Sequence, residues 1–194
     1  VIPEYWILVG GGLVLAVAVF ALVRFWLRRR RPRLSQALQD VSIDRLQNVL
    51  VPDGMGGQIQ LEHLLLTASG LVVIDVKAFE GTIFAGDRMA EWTVIGKQGR
   101  FTFPNPLGTL YDRVAALRQL VRDVPVAGYV LFAAGADFTK GRPKDVLLPS
   151  ELVERHRKPD PSDLERLLPA FEPHWERVKA AIEPVRVGAR ASLR

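Results

Sequence analysis

Residues 58–77 read QIQLEHLLLTASGLVVIDVK, and this stretch decides the fold. Two apolar runs, Gln58 to Thr67 and Leu71 to Lys77, flank Ala68-Ser69-Gly70. Glycine there supplies the positive φ that a tight turn requires, so the segment is expected to form a β-hairpin. A turn centred near Ala68 and Ser69 sets Glu62 opposite Asp75, or one place off if the turn carries a bulge. Asp75 and Lys77 are two apart on one strand and share a face. The hairpin therefore gathers two carboxylates and one ammonium among Leu, Val and Ile. Burying charge is costly, so charge in such strands often serves function. Two hard oxygen ligands at that separation can hold Mg²⁺ or Mn²⁺. A lysine beside them can polarise a phosphate, orient water or stabilise developing charge. The alternative on spacing alone is a structural salt bridge between Lys77 and the acids.

Outward from the hairpin, Leu34 to Leu46 has a helical apolar spacing. Asn48 to Val51 is a short β-branched run ending in Pro52-Asp53-Gly54. The glycine-rich Gly54-Met55-Gly56-Gly57 lacks the Lys-Ser/Thr of a phosphate loop and is taken as a turn. Gly81 to Ala85 and Trp92 to Ile95 have strand patterns. Asn105-Pro106 is a helix start, followed by Leu110, Val114, Leu117 and Val121 at helical spacing. Val126 to Ala134 has the continuous apolar character of a buried strand, and Lys144 to Leu148 is a further strand. Asp160-Pro161 opens a short helix to Leu168, and a second helix is expected over His174 to Ile182. The fold class is α/β: a transmembrane helix followed by a mixed central sheet flanked by helices.

The N-terminal segment is almost wholly apolar as far as Leu27 and carries all of the net charge. From Trp6 to Leu27 a single charge, Arg24, interrupts an apolar run long enough to cross a hydrocarbon core of roughly 30 Å. Tyr5, Trp6 and Trp26 suit the two interfaces. The basic residues Arg28 to Arg31 follow the run instead of preceding it, which is a stop-transfer pattern and not a cleaved signal peptide. Positive residues stay in the cytoplasm, so the N-terminus is expected outside and the domain inside. The Arg cluster also offers contact with anionic lipid. The formal net charge is +5, and six of the 26 basic residues but one of the 21 acidic residues precede Leu34. The rest is balanced, so the basic pI is no argument for a DNA-binding face. There is no cysteine, which excludes disulfides and thiolate metal sites.

The stretch from Val49 to Phe84, with LVPDG and LEHLLLTASGLVVIDVKAFEGTIF, closely resembles the core of the NERD (nuclease-related) domain. Trp92 and then FPNPLGTLYDRVAALRQLV resemble that family's next block, so the likeness runs over roughly Gln47 to Ala134. The resemblance implies the restriction-endonuclease-like fold of the PD-(D/E)xK nucleases. It puts Glu62 at the first strand carboxylate, Asp75 at the second and Lys77 at the lysine, with Glu62 and Asp75 as metal ligands. Family members usually carry Asp where Glu62 stands and Glu where Asp75 stands. Their leading helix usually offers a Glu, where this chain has only Asp40 and Asp44. Thr109 stands where a Gln usually follows the Asn-Pro block.

The expected organisation is a transmembrane helix (5–27), a basic juxtamembrane segment with a short helix (28–46), a NERD-like domain (47–150) and a C-terminal helical extension with tail (151–194). The expected function is a membrane-anchored, divalent-metal-dependent nuclease acting on nucleic acid, DNA ahead of RNA. The second expectation is a catalytically silent interaction or scaffold module at the cytoplasmic membrane face. A third is a lipid-surface sensor working through the Arg cluster. Other polar residues have plainer explanations. His63 alternates to the face opposite Glu62. His156 and His174 lack ligand spacing. Lys140, Arg142 and Lys144 form a small basic loop, Asn105 caps a helix, and Trp92 and Phe103 belong to the core.

Overall fold

The computed structural model describes residues 34–133 and 135–184. Helix α1 (Leu34–Val41) leads into strands β1 (Asp44–Pro52), β2 (Gln58–Thr67) and β3 (Gly70–Lys77). The β1–β2 connection is the expected turn. Asp53 Oδ1 accepts the backbone N–H of Met55 at 2.8 Å and of Gly57 at 2.9 Å. The β2–β3 hairpin forms where glycine allows it: Thr67 pairs with Gly70, whose φ is +117°. Thr67 Oγ1 donates to the Gly70 carbonyl at 2.8 Å and pins the turn from inside.

The chain continues through β4 (Gly81–Phe84), β5 (Glu91–Gly96), β6 (Gly99–Pro104), α2 (Leu107–Leu120), β7 (Val126–Phe132), β8 (Ala136–Asp137) and β9 (Val146–Leu147). It closes with α3 (Pro149–Arg155), α4 (Pro161–Ala181) and β10 (Glu183–Pro184). One sheet has the order β10-β1-β2-β3-β7-β9 and the other β6-β5-β4-β8. β1, β2 and β3 pair antiparallel, while β3–β7 and β7–β9 pair parallel. Parallel neighbours need a crossover, and α2 supplies it between β3 and β7. The expected mixed α/β architecture with flanking helices is present, but as two sheets where one central sheet was expected.

Alternation along β3 sorts its side chains between two cores. Leu71 and Val73 pack with Leu110, Val114 and Leu117 of α2. Val72 and Ile74 pack with Leu38, Val41 and Leu152 on the other face. Helix α2 sits so close to β7 that a β-carbon on Gly128 would collide with Val114 Cγ2. Asp75 continues the Leu71, Val73 series and therefore faces α2.

Several elements differ from expectation. The first helix ends at Val41, not Leu46, because β1 begins at Asp44 and pairs along its length with β2. Strand β6 and helix α3 were not anticipated. The two expected C-terminal helices are one helix of 21 residues with Pro169 and Pro173 inside it. An interior proline costs a helix about 3 kcal/mol. Here the stripe Leu168, Phe171, Trp175 and Val178 runs past both prolines and packs on the main core, which offsets that loss. The β10 pairing with Val49 and Leu50 falls in the C-terminal segment and adds an edge to the larger sheet. The expected membrane-spanning helix at 5–27 lies outside the described residues. Among the described residues no helix is long and apolar enough to cross a membrane.

Candidate active site

Glu62, Asp75 and Lys77 come together as the hairpin register predicts. The β2–β3 pairs run from Thr67↔Gly70 to His63↔Ile74, so the next pair in register is Glu62 with Asp75. There the ladder stops. Glu62 Oε2 accepts the Val76 backbone N–H at 2.9 Å in place of a strand carbonyl. A carboxylate thus substitutes for the ladder at the point where the two strands part. On its other side β3 stays paired with β7 through Asp75↔Val130 and Lys77↔Phe132, which holds both side chains firmly.

Asp75 is 2% exposed, and its partner is a residue that sequence inspection missed. Arg113, on α2, donates from Nη1 to Asp75 Oδ2, while its Nε donates to the Gln60 carbonyl at 2.7 Å. One guanidinium therefore ties the helix to both strands of the hairpin. The alternative salt bridge between Lys77 and the acids is not made; Asp75 pairs with Arg113 instead. Asp75 Oδ1 is buried and has no hydrogen-bond partner. Burial pushes the Asp75 carboxyl above its usual value, against the opposing pull of Arg113 and Lys77. An ionised Asp75 is thus a net cost to the folded state. Its stabilising, protonated form is fully present below the unfolded pKa and is lost as pH rises through the raised folded value.

Asp75, Lys77 and Arg113 open onto a cleft of about 340 Å³ that also touches Phe79, Phe103 and Thr109. The cleft wall is set by Asn105. Its Oδ1 accepts the Leu107 N–H at 3.0 Å and its Nδ2 donates to the Met89 carbonyl at 2.9 Å. The helix N-cap is Pro106, one residue later than expected; Asn105 still satisfies the Leu107 N–H and also anchors the loop before β5. Thr109 lies in the first turn of α2 on the same cleft.

Asp40, Asp44, His156 and the basic loop stay apart from this cluster, whereas His63 adjoins it. Asp44 sits opposite Leu66, at the far end of β2 from Glu62, and its Oδ2 accepts Trp175 Nε1 at 2.8 Å. Asp40 belongs to α1, which packs on the opposite face from Asp75. Neither supplies a third carboxylate, and among the described residues no group of three His, Asp or Glu forms a metal cluster. His63 is half-buried, and burial lowers its pKa. His156 is held between Ser69 Oγ at 2.9 Å and Tyr129 Oη at 3.2 Å. Arg142 of the basic loop is paired with Glu151, and Lys140 and Lys144 are exposed. Trp92 is fully buried and Phe103 packs against it, as expected of core residues.

An uncharacterized protein of Bacillus anthracis is 28% identical over 89 residues, which is 46% of this chain and 42% of that protein. The chain thus spans less than half the length of that curated relative. No solved structure matches the chain. The family model described as the nuclease-related domain matches residues 23–133, more than half of the chain and all of the strand and helix residues around the cleft. The chain belongs to the NERD, or nuclease-related domain, family, a domain of the restriction-endonuclease-like kind.

Proposed function

We propose that this protein is a membrane-anchored nuclease that hydrolyses nucleic-acid phosphodiesters with the help of Mg²⁺ or Mn²⁺. The observation that carries this is Asp75 Oδ1, a buried carboxylate oxygen with no partner, beside a cleft that also holds Lys77 and Arg113. Such an oxygen, with the Glu62 oxygen not engaged by Val76, suits a hard dication. Mg²⁺ commonly takes only one or two carboxylates and completes its shell with water and phosphate oxygens. Bound there, the ion would lower the pKa of a water and stabilise developing charge.

The chain's own residues supply the rest. Glu62 is fixed by the Val76 N–H, so its free oxygen needs no reorganisation. Lys77, in the same cleft and without an ion-pair partner among the described residues, binds a non-bridging phosphate oxygen. Pro106 and Thr109 bring the first turn of α2 to the cleft, where the helix dipole favours an anion. Phe79 and Phe103 wall off water. With Arg113 engaged, the two acids and two bases balance, so binding rests on close contact and not on long-range attraction.

A second proposal has a specific observation behind it. Arg113 already occupies Asp75 Oδ2, as it would in a purely structural pair, and this favours a catalytically silent module at the membrane face. A Mn²⁺ titration of the full chain separates the two. Saturable binding is expected, weakened at least about tenfold in Asp75→Asn with the melting temperature preserved, and Mn²⁺-dependent cleavage should disappear with it. Absence of binding by the unsubstituted chain would leave the interaction module as the function.

The anchor rests on the apolar run at 5–27 and the Arg28–Arg31 flank. The protein is expected to stay with the membrane pellet in alkaline carbonate, with its domain protease-accessible from the cytoplasmic side alone. Extraction into the carbonate supernatant would contradict a spanning helix.

A further inference from the structure

We infer that a second, larger cleft beside the site binds single-stranded nucleic acid and leads it to Asp75 and Lys77. This rests on the nuclease proposal and adds the substrate class. Phe79 lines both clefts, so they meet at one ring. The larger cleft, about 710 Å³, runs from Phe79 past Glu80 to Phe101 and the turn between β5 and β6. Its volume lies within the roughly 300–1,000 Å³ of ordinary ligand sites.

The aromatic rings in it are unequal. Phe79 is half-buried, with Phe103 at 4.8 Å and Phe101 edge-on at 5.2 Å and 73°. Phe101 is 43% exposed, so one of its faces is free. A free phenyl face on a strand costs solubility unless something covers it. A cation flanks that face: Lys97 lines the cleft and is exposed. It makes no ion pair among the described residues. The turn leaves room beside it, since a β-carbon on Gly99 would meet nothing within 4 Å.

A cation beside an open ring is what a flexible strand needs. Bases stack on aromatic faces and the phosphates follow the positive charges. A duplex hides its base faces within the stack and gains nothing from Phe101. Glu80, the acidic residue in the cleft, repels phosphate but accepts from a base amino group, which orients the bases inward. A base on Phe101 would direct the strand across Phe79 toward Lys77.

The test is fluorescence anisotropy of labelled oligothymidylate and of a blunt duplex of equal length. It uses the full chain in detergent with EDTA present, so that cleavage cannot intervene. The single strand is expected to bind about tenfold tighter than the duplex. Phe101→Ala should weaken it about tenfold, since stacking is worth roughly 1–3 kcal/mol per base. Phe101→Trp should restore binding, and Lys97→Glu should weaken it and flatten its salt dependence. Equal affinity for strand and duplex, or a Phe101→Ala variant that binds fully, would overturn the inference even if Mn²⁺-dependent cleavage were present. Strand binding that depends on Phe101 in a chain that never cleaves would support the inference and defeat the nuclease proposal alone.

Discussion

Arg113→Ala is expected to destabilise the protein by about 3–5 kcal/mol at neutral pH, the usual cost of removing one partner from a buried ion pair. Asp75 is 2% exposed, and Arg113 is the only residue that hydrogen-bonds its carboxylate among those described. The variant also loses the bond to the Gln60 carbonyl. Urea denaturation followed by tryptophan fluorescence measures the loss. Its pH dependence identifies the cause. Burial already raises the Asp75 carboxyl, and Arg113 is the largest influence opposing that rise. Without Arg113 the folded pKa climbs further. The deficit is therefore small below the unfolded pKa of about 4, where Asp75 is protonated in both states. It grows as pH rises through the elevated folded value. The double variant Arg113→Ala, Asp75→Asn should recover most of the loss at neutral pH. A deficit that is the same at pH 4 and pH 7 would mean that lost packing, not buried charge, is responsible.

Trp92→Ala is the second large effect, again about 3–5 kcal/mol, as for large aromatic truncations in a core. Trp92 lies on β5 in the smaller sheet and is fully buried. Its ring stacks on Phe132 of the larger sheet, with centroids 6.3 Å apart and planes at 25°. It meets Phe103 edge-on at 5.9 Å, and Nε1 donates to the Gly86 carbonyl at 3.1 Å. This one side chain joins the two sheets. Phe132 is the register partner of Lys77, and Phe103 lines the cleft, so the loss should reach the site as well. Circular dichroism in urea would show it. Trp92→Phe keeps an aromatic ring and should lose less; an equal loss would assign the stabilisation to the Gly86 hydrogen bond.

The hairpin was legible because three local signals agree: two apolar runs, β-branched residues and a turn glycine. That agreement set both its ends and the pairing of Glu62 with Asp75. The start of α2 was legible for a similar local reason, since Asn105-Pro106 immediately precedes it and the Asn105 side chain accepts the Leu107 N–H. Strand β6 was not, because all but Phe103 of its residues are exposed and an edge strand shows no buried face in its pattern. The two helices expected, to Leu168 and from His174, left out the segment between them, through which the burial stripe of α4 runs unbroken. Arg113 is the instructive omission. It stands between Leu110 and Val114, on the stripe of α2 that packs into the core. A charge there must find a partner, and that much was visible. The partner lies 38 residues away on β3, and only tertiary packing identifies it.

The bond from the Val76 amide to Glu62 makes one backbone proton a spectroscopic gauge of the site. Its donor is held in β3, and its acceptor is one of the two carboxylates that the proposed cation would share. Whatever withdraws electron density from Glu62, whether a proton or a metal, lengthens that bond and moves the amide resonance. The occupancy of the site is thus written into the nitrogen–proton spectrum of the unmodified protein, with no substrate, label or turnover required.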